Sequence, residues 1–132
     1  MNLKIGDLSR KSGCSVQTIR YYEKERLLPA PNRTVGNFRL YDEETLKQLL
    51  FIKRCRNIDL TIDEIRHLIE LRNFPQSDCD EINQLIEKHL IQVNQRLTDL
   101  HELKSHLMSL KSKCSKDNKV ENCGIMNTLV NE

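Results

Sequence analysis

Residues 5–44 read IGDLSRKSGCSVQTIRYYEKERLLPAPNRTVGNFRLYDEE, and the order of the signals in this stretch decides the fold. Apolar residues at helical spacing precede Gly13, which is a natural end for a first short helix. Ser15 then offers an N-cap hydroxyl for a second helix that runs from Val16 towards Leu28. Because only about three residues separate the two helices, the pattern predicts a helix-turn-helix.

A small β-hairpin is predicted directly after the second helix. Pro29 and Pro31 stop that helix, and Gly36-Asn37 lies between two β-prone flanks. In helix-turn-helix proteins the first turns of the second helix read the major groove, and we interpret the hairpin as a wing beside it. An ordinary solvated surface is the alternative interpretation. The predicted DNA-binding residues are Gln17, Thr18, Arg20, Tyr21, Arg33, Asn37, Arg39 and Tyr41.

Charge is unevenly distributed along the 132 residues, although the formal net charge is only +2. Residues 1–60 hold 12 Lys and Arg against 7 Asp and Glu, whereas residues 61–132 hold 9 against 12. The basic first half is therefore the candidate for neutralising DNA phosphates. With no secretory leader and no apolar run of the ~18–20 residues that a membrane span needs, we expect a cytoplasmic protein. No catalytic constellation is evident, so we expect no enzyme.

Three more helices are predicted after the wing. Asp42 begins the third, Thr61 and Glu64 form a capping box for the fourth, and a long helix follows at about 80–113. Apolar residues on the long helix recur every 3.4 residues on average, at about the coiled-coil period. A stripe this narrow needs a partner helix, so we expect a homodimer. The seam consists of Ile86, Leu90, Val93, Leu97, Leu100, Leu103, Leu107 and Leu110.

Five cysteines stand at positions 14, 55, 79, 114 and 123. An odd number in a reducing compartment argues against a disulfide framework and favours metal binding, redox chemistry or core packing. Cys14 and Cys55 are predicted to be core residues. Cys79, Cys114 and Cys123 lie at polar helix ends or loops, where a buried apolar residue is not needed. A disulfide between Cys114 and Cys123 is the alternative to metal binding, although a reducing cytosol disfavours it.

The unbroken stretch from Ile5 to Tyr41 resembles the N-terminal DNA-binding domain of the MerR family of transcriptional regulators. The resemblance rests on T-I-R-Y-Y-E in the second helix and on R-x-x-G-N-F-R-x-Y in the wing. It implies a winged helix-turn-helix and a dimer held by an antiparallel coiled coil. It also implies a promoter with an overlong spacer, which is distorted on effector binding so that RNA polymerase can use it.

An antiparallel dimer would solve a problem of distance among the cysteines. The long helix rises about 50 Å, so Cys79 and Cys114 of one chain are far apart. Where two such helices run in opposite directions, Cys79 of one protomer lies beside Cys114 and Cys123 of the other. Three thiolates favour soft or borderline cations such as Cd(II), Pb(II), Hg(II), Zn(II) or Cu(I).

The second half of the chain is similar to the cadmium- and lead-responsive branch of the MerR family. The similarity lies in FIKRCRNIDLTIDEIRHLIELR at 51–72, in C-x-E-I-N at Cys79 and in C-x8-C-G-I around Cys123. It implies that Cys79, Cys114 and Cys123 are the metal ligands. The mercury-responsive branch shares this cysteine spacing. Zinc-responsive members typically have a second cysteine where this chain has Ser115, and copper-responsive members typically lack a cysteine matching Cys79.

We therefore predict a mainly α-helical chain in three parts. These are a winged helix-turn-helix DNA-binding domain with connecting helices at 1–72, a hinge and dimerisation helix at 73–113, and a metal-binding loop and tail at 114–132. The homodimer is expected to bind promoter DNA and, with RNA polymerase, to activate metal-resistance genes when Cd(II) or Pb(II) binds. A sensor of Hg(II) or Zn(II), or a thiol redox sensor, on the same scaffold is the alternative.

Overall fold

A computed structural model of the protein describes residues 2–33, 35–36, 39–114 and 119–131. The chain is mainly α-helical, as predicted, and divides into two compact units, Met1–Cys79 and Asp80–Glu132. The helices are α1 (Ile5–Ser12), α2 (Val16–Lys24), α3 (Glu43–Asn57), α4 (Ile62–Leu71), α5 (Asp80–Ser112) and α6 (Gly124–Asn131), with a 3₁₀ turn at Val120–Asn122. Two short strands, β1 (Asn32–Arg33) and β2 (Arg39–Leu40), form the hairpin.

The predicted helix-turn-helix is present in α1 and α2. Gly13 ends α1 with a φ of 72°, a left-handed conformation that glycine adopts without strain, and its N–H donates to the Ser9 carbonyl at 2.9 Å. Ser15 caps α2, and its hydroxyl accepts the Thr18 N–H at 3.0 Å. The turn therefore has the length and the cap that the sequence predicted.

The second helix ends earlier than the sequence suggested. It stops at Lys24 and does not reach Leu28. Arg26 adopts a φ of 61°, and the Leu27 N–H donates to the Tyr22 carbonyl at 2.9 Å, which is the bonding pattern of a Schellman motif. Leu27 and Leu28 are buried outside the helix. Their burial, and not the prolines that follow, determines where α2 ends.

The predicted wing is an antiparallel hairpin. Asn32 pairs with Leu40 and Arg33 pairs with Arg39. Asn37, which the sequence placed in the turn and among the DNA-binding residues, lies outside the described residues. The hairpin therefore places Arg33 and Arg39 side by side on neighbouring strands.

Helices α3 and α4 begin at the predicted caps. The Asp42 carboxylate accepts the Thr45 N–H at 2.8 Å. Thr61 and Glu64 form a reciprocal capping box, with bonds of 2.8 and 3.1 Å. The first unit closes around a core whose most buried side chains are Leu8, Ile19, Tyr41, Leu49, Ile52, Leu60 and Ile65.

The second unit consists of α5, the 3₁₀ turn and α6. No residue of α5 is buried in the single chain, and the predicted seam from Ile86 to Leu107 is 38–59% exposed. Such a row of exposed apolar side chains is costly in water. Nowhere in the described part of the chain does a helix have the length and apolar character needed to cross a membrane.

Candidate DNA-binding surface and thiol pair

The exposed face of α2 carries the side chains that the sequence assigned to DNA reading. Gln17, Arg20 and Tyr21 are exposed in the first two turns, as a helix that enters a groove requires. Thr18 is half-buried, and its hydroxyl accepts a hydrogen bond from the Ser15 hydroxyl at 2.8 Å. Thr18 therefore also belongs to the cap that orients this helix.

A groove with basic walls runs beside α2, and we call it the basic groove. Three predicted DNA-binding residues line it, namely Arg20, Arg33 and Arg39. Lys4 and Arg10 line it as well, although the sequence did not single them out. The sequence shows these two basic residues, one just before α1 and one within it, but their approach to the wing depends on how α1 packs. Five cations and one carboxylate, that of Asp7, line this concave surface, so its net charge is positive and suits a phosphate backbone.

Glu23 of α2 joins the recognition helix to the wing, and sequence reasoning missed this residue. Its carboxylate is only 12% exposed and lies 3.5 Å from Arg39 Nη1. The Tyr41 hydroxyl donates a hydrogen bond to the same carboxylate. The sequence does show Glu23 as an acidic side chain on an otherwise basic helix, which could have indicated an ion pair with a nearby basic residue. Through this ion pair, Glu23 links α2 to Arg39 of the wing.

Tyr41 is a core residue and does not lie on the DNA-facing surface where the sequence placed it. Its side chain is 2% exposed, and its backbone pairs with Leu3. Burial, followed by the hydrogen bond to Glu23, raises the pKa of Tyr41 to about 12. The phenol therefore stays protonated and acts as a donor to Glu23. Its position supports Arg39 from behind the wing.

The five cysteines divide into buried and accessible groups. Cys14 and Cys55 are buried, which confirms the prediction that they are core residues. Burial raises the pKa of the Cys55 thiol, as expected for a group that is not a ligand. Cys79 and Cys114 are exposed, and Cys123 is half-buried.

Cys114 and Cys123 form a thiol pair, which is the main chemical feature of the second unit. Their Sγ atoms lie 3.4 Å apart, a hydrogen-bond separation and not the roughly 2.05 Å of a disulfide. The Met126 N–H at the start of α6 stabilises the thiolate of Cys123 and lowers its pKa. The hydrogen bond to Cys123 raises the pKa of Cys114. The pKa values of the two thiols are therefore shifted in opposite directions.

The thiol pair suits a soft metal ion but does not complete a site. Within the described part of one chain, no three His, Cys, Asp or Glu side chains come together as metal ligands. The pair supplies two soft donors, so a complete site would need a further donor from outside the described part of this chain.

Comparisons with known proteins agree with this architecture. The family model "MerR HTH family regulatory protein" matches residues 3–71, and "MerR, DNA binding" matches residues 46–110. The HTH-type transcriptional regulator ZntR homolog of Haemophilus influenzae is 45% identical over 84% of this chain and 82% of that protein. The mercuric resistance operon regulatory protein of Bacillus cereus is 32% identical over 98% of both chains.

A solved structure extends the likeness to the whole fold. The transcription regulator PbrR691 from Ralstonia metallidurans, crystallised in complex with lead(II), has a TM-score of 0.87 and 48% sequence identity. The alignment covers 96% of this chain and 98% of that one. This chain therefore belongs to the MerR family of helix-turn-helix regulatory proteins, whose members act by binding DNA and are not enzymes, as the sequence predicted.

Proposed function

We propose that this protein is a homodimeric metal sensor that activates metal-resistance genes when Pb(II) or Cd(II) binds. The ligands are Cys79 of one protomer and Cys114 and Cys123 of the other. The observation that carries the proposal is the thiol pair, because one chain holds two soft donors 3.4 Å apart, one exposed and one half-buried. The three-part division at 1–72, 73–113 and 114–132 belongs to the same proposal.

DNA recognition is assigned to α2 and the basic groove. Arg20, Arg33 and Arg39 meet in that groove, and Lys4 and Arg10 add two cations to it. The side chain of Tyr41 is buried, so Tyr41 is not one of the DNA contacts and instead packs behind Arg39. Upon activation, the promoter bound by the two DNA-binding domains becomes usable by RNA polymerase. The proposed DNA contacts are Gln17, Thr18, Arg20, Tyr21, Arg33, Asn37 and Arg39, with Lys4 and Arg10 on phosphates.

Dimerisation through α5 explains the exposed seam. The helix has 33 residues and no buried side chain, yet its leucines are spaced for a coiled coil. A second copy of α5 is the natural cover because no other described helix of this chain approaches its length.

The length of α5 implies that two protomers contribute ligands to each metal site. Cys79 directly precedes the helix and Cys114 follows its last turn, so about 50 Å of helix separates the two thiols of one chain. An antiparallel partner, as the family resemblance implies, would bring the opposite end of its own α5 alongside. The third donor for the thiol pair is then Cys79 of the other protomer.

The preference for lead and cadmium rests on two kinds of support. The relative with 48% identity was crystallised with lead(II), and the sequence resembles the cadmium- and lead-responsive branch. A mercuric resistance regulator is also similar over almost the whole chain, so Hg(II) is the main alternative effector. A Zn(II) sensor or a thiol redox sensor would use the same pair of sulfur atoms.

Metal titration tests the proposed site directly. Adding Cd(II) to the reduced dimer is expected to produce ligand-to-metal charge-transfer absorption that saturates at one ion per chain. Because the ligands bind as thiolates and the pKa of Cys114 is raised, the affinity should fall as the pH is lowered. Competition titrations with Pb(II), Hg(II) and Zn(II), followed by the same absorption, rank the affinities of the four metals.

Two variants make the titration specific. Cys123→Ser should remove the charge-transfer band, whereas Cys55→Ala, which removes a buried thiol, should leave the band and the stoichiometry unchanged. A flat trace for the unmodified dimer would contradict the metal proposal. A promoter response to peroxide in place of metal would then favour the redox sensor.

Arg10 provides a separate test of the basic groove. Arg10→Ala is expected to weaken binding to all DNA sequences and to lower the slope of log affinity against log salt by about 1.8, because the homodimer loses one phosphate contact in each protomer. The measurement is fluorescence anisotropy of labelled promoter DNA at several salt concentrations.

Lys47→Ala is the matched control for Arg10→Ala. Lys47 forms an ion pair with Glu44 on α3, as Arg10 does with Asp7 on α1, and both pairs are spaced three residues apart. Lys47 does not line the basic groove, so its removal should leave the salt slope unchanged. Equal effects of the two substitutions would show that net charge, and not the groove, governs binding.

A further inference from the structure

Gly124 lies so close to Lys113, which follows α5, that position 124 has no room for a side chain. A Cβ built on Gly124 would lie well inside van der Waals contact of the Lys113 carbonyl oxygen. It would also lie 3.0 Å from the Lys113 Cβ and 3.1 Å from the Lys113 carbonyl carbon. Because two of these atoms belong to the backbone, a side-chain rotation cannot relieve the clash. Only glycine lets α6 begin at this distance from α5.

Thr128 holds the same two segments together one turn later. Its hydroxyl donates to the Gly124 carbonyl at 2.7 Å and accepts a hydrogen bond from Lys113 Nζ at 3.3 Å. We refer to the contact of Gly124 with Lys113, together with these two hydrogen bonds, as the α5–α6 latch. The latch therefore fastens α6 to Lys113, the residue that directly follows α5.

The latch lies directly beside both thiols in the chain. Lys113 precedes Cys114, and Gly124 follows Cys123. Moving Gly124 away from Lys113 must therefore separate the two cysteines or rotate their side chains. The sulfur separation of 3.4 Å thus depends on a backbone contact that only glycine permits.

We infer that Gly124 is a positioning residue that sets the geometry of the metal-binding thiol pair. This inference rests on the proposed function, in which Cys114 and Cys123 supply two of the three ligands. Gly124 contributes no donor atom. Its role is to bring the two thiols together before metal arrives, so that less ordering of the chain is needed on binding.

The test compares Gly124→Ala with Asn127→Ala in the full-length dimer. Both substitutions raise the helix propensity of α6, but Asn127 is exposed and is not part of the latch. Two properties are measured: the metal-free equilibrium between the Cys114–Cys123 dithiol and its disulfide in glutathione buffers, and the affinity for Cd(II). We expect Gly124→Ala to lower the effective concentration of one thiol at the other, as the dithiol–disulfide equilibrium reports it, at least tenfold. The Cd(II) affinity should fall by at least the same factor. Asn127→Ala should change neither, and both variants should retain operator binding.

A second variant keeps the inference testable if Gly124→Ala does not fold. Thr128→Val removes both hydrogen bonds of the hydroxyl without adding an atom at position 124, and it should reduce both quantities severalfold. Unchanged thiol equilibria in Gly124→Ala, or equal losses in Asn127→Ala, would overturn the inference. Absence of Cd(II) binding in the unmodified dimer would refute the proposed function instead, while the metal-free equilibrium would still report on positioning.

Discussion

Cys79→Ser is expected to abolish metal-dependent transcription while leaving promoter binding intact. Cys79 is exposed and does not line the basic groove, so its removal takes nothing from the DNA-binding surface. Serine is similar in size, but its hydroxyl is a harder and much weaker ligand than a thiolate for Cd(II) or Pb(II). The thiol pair would then lack its third donor, and the link between protomers would be lost.

The proposed physical basis of this separation is that metal binding would change the relation between the two DNA-binding domains and not their contacts with DNA. Metal binding to the shared site would connect Cys114 and Cys123, which follow α5 in one protomer, to Cys79, which precedes α5 in the other. Cys79→Ser removes that connection and leaves both DNA-binding domains as they are. The expected result is therefore loss of coupling between metal and promoter activity, with little change in DNA affinity.

A gel-shift titration and an in vitro transcription assay with added Cd(II) or Pb(II) measure the two properties. Ser77→Ala is the matched control because it alters an exposed residue close to Cys79 and removes no thiol. It should behave as the unmodified protein in both assays. Loss of operator binding in Cys79→Ser, or full induction by metal, would contradict the assignment of Cys79 as a ligand.

Helix starts could be predicted because a cap is a local signal. Ser15, Asp42 and the pair Thr61–Glu64 each lie within three residues of the N–H groups that they satisfy, so spacing alone identified them. The end of α2 could not be found in this way. Arg26 is an unusual residue for a left-handed conformation, and it adopts one because Leu27 is buried in the core. That burial depends on distant parts of the chain.

The same distinction applies to the functional residues. The exposure of Gln17, Arg20 and Tyr21 followed from helical periodicity, which is a property of one segment. A tyrosine such as Tyr41 suits a core as well as a DNA surface, and its contact with Glu23, 18 residues away, places it in the core. The 3.4 Å between Cys114 and Cys123 likewise depends on how α6 packs against the end of α5. The sequence suggested Cys114 and Cys123 as candidate ligands but could not show that one chain brings the two thiols together.

Leu97→Glu is expected to convert the dimer to monomers and thereby to prevent stable promoter binding. Leu97 is 50% exposed in the single chain and lies near the middle of α5, which spans Asp80–Ser112. In an antiparallel pair the midpoint of each helix meets its own copy, so the substitution places two carboxylates close together in the seam. Losing two buried leucines costs about 4 kcal/mol, or about a thousandfold in dimer affinity, before their repulsion is added.

Sedimentation equilibrium gives the association constant, and gel shift gives the affinity for a two-site promoter fragment. Thr98→Glu is the matched control, because it adds the same charge at the next position, outside the predicted seam. The Thr98 hydroxyl bonds only back to the Asn94 carbonyl within its own helix, at 3.2 Å in the described structure. This control should remain dimeric and bind DNA normally. A Leu97→Glu protein that stays dimeric at micromolar concentration would contradict the antiparallel seam, and with it the placement of Cys79 beside the thiol pair of the other protomer.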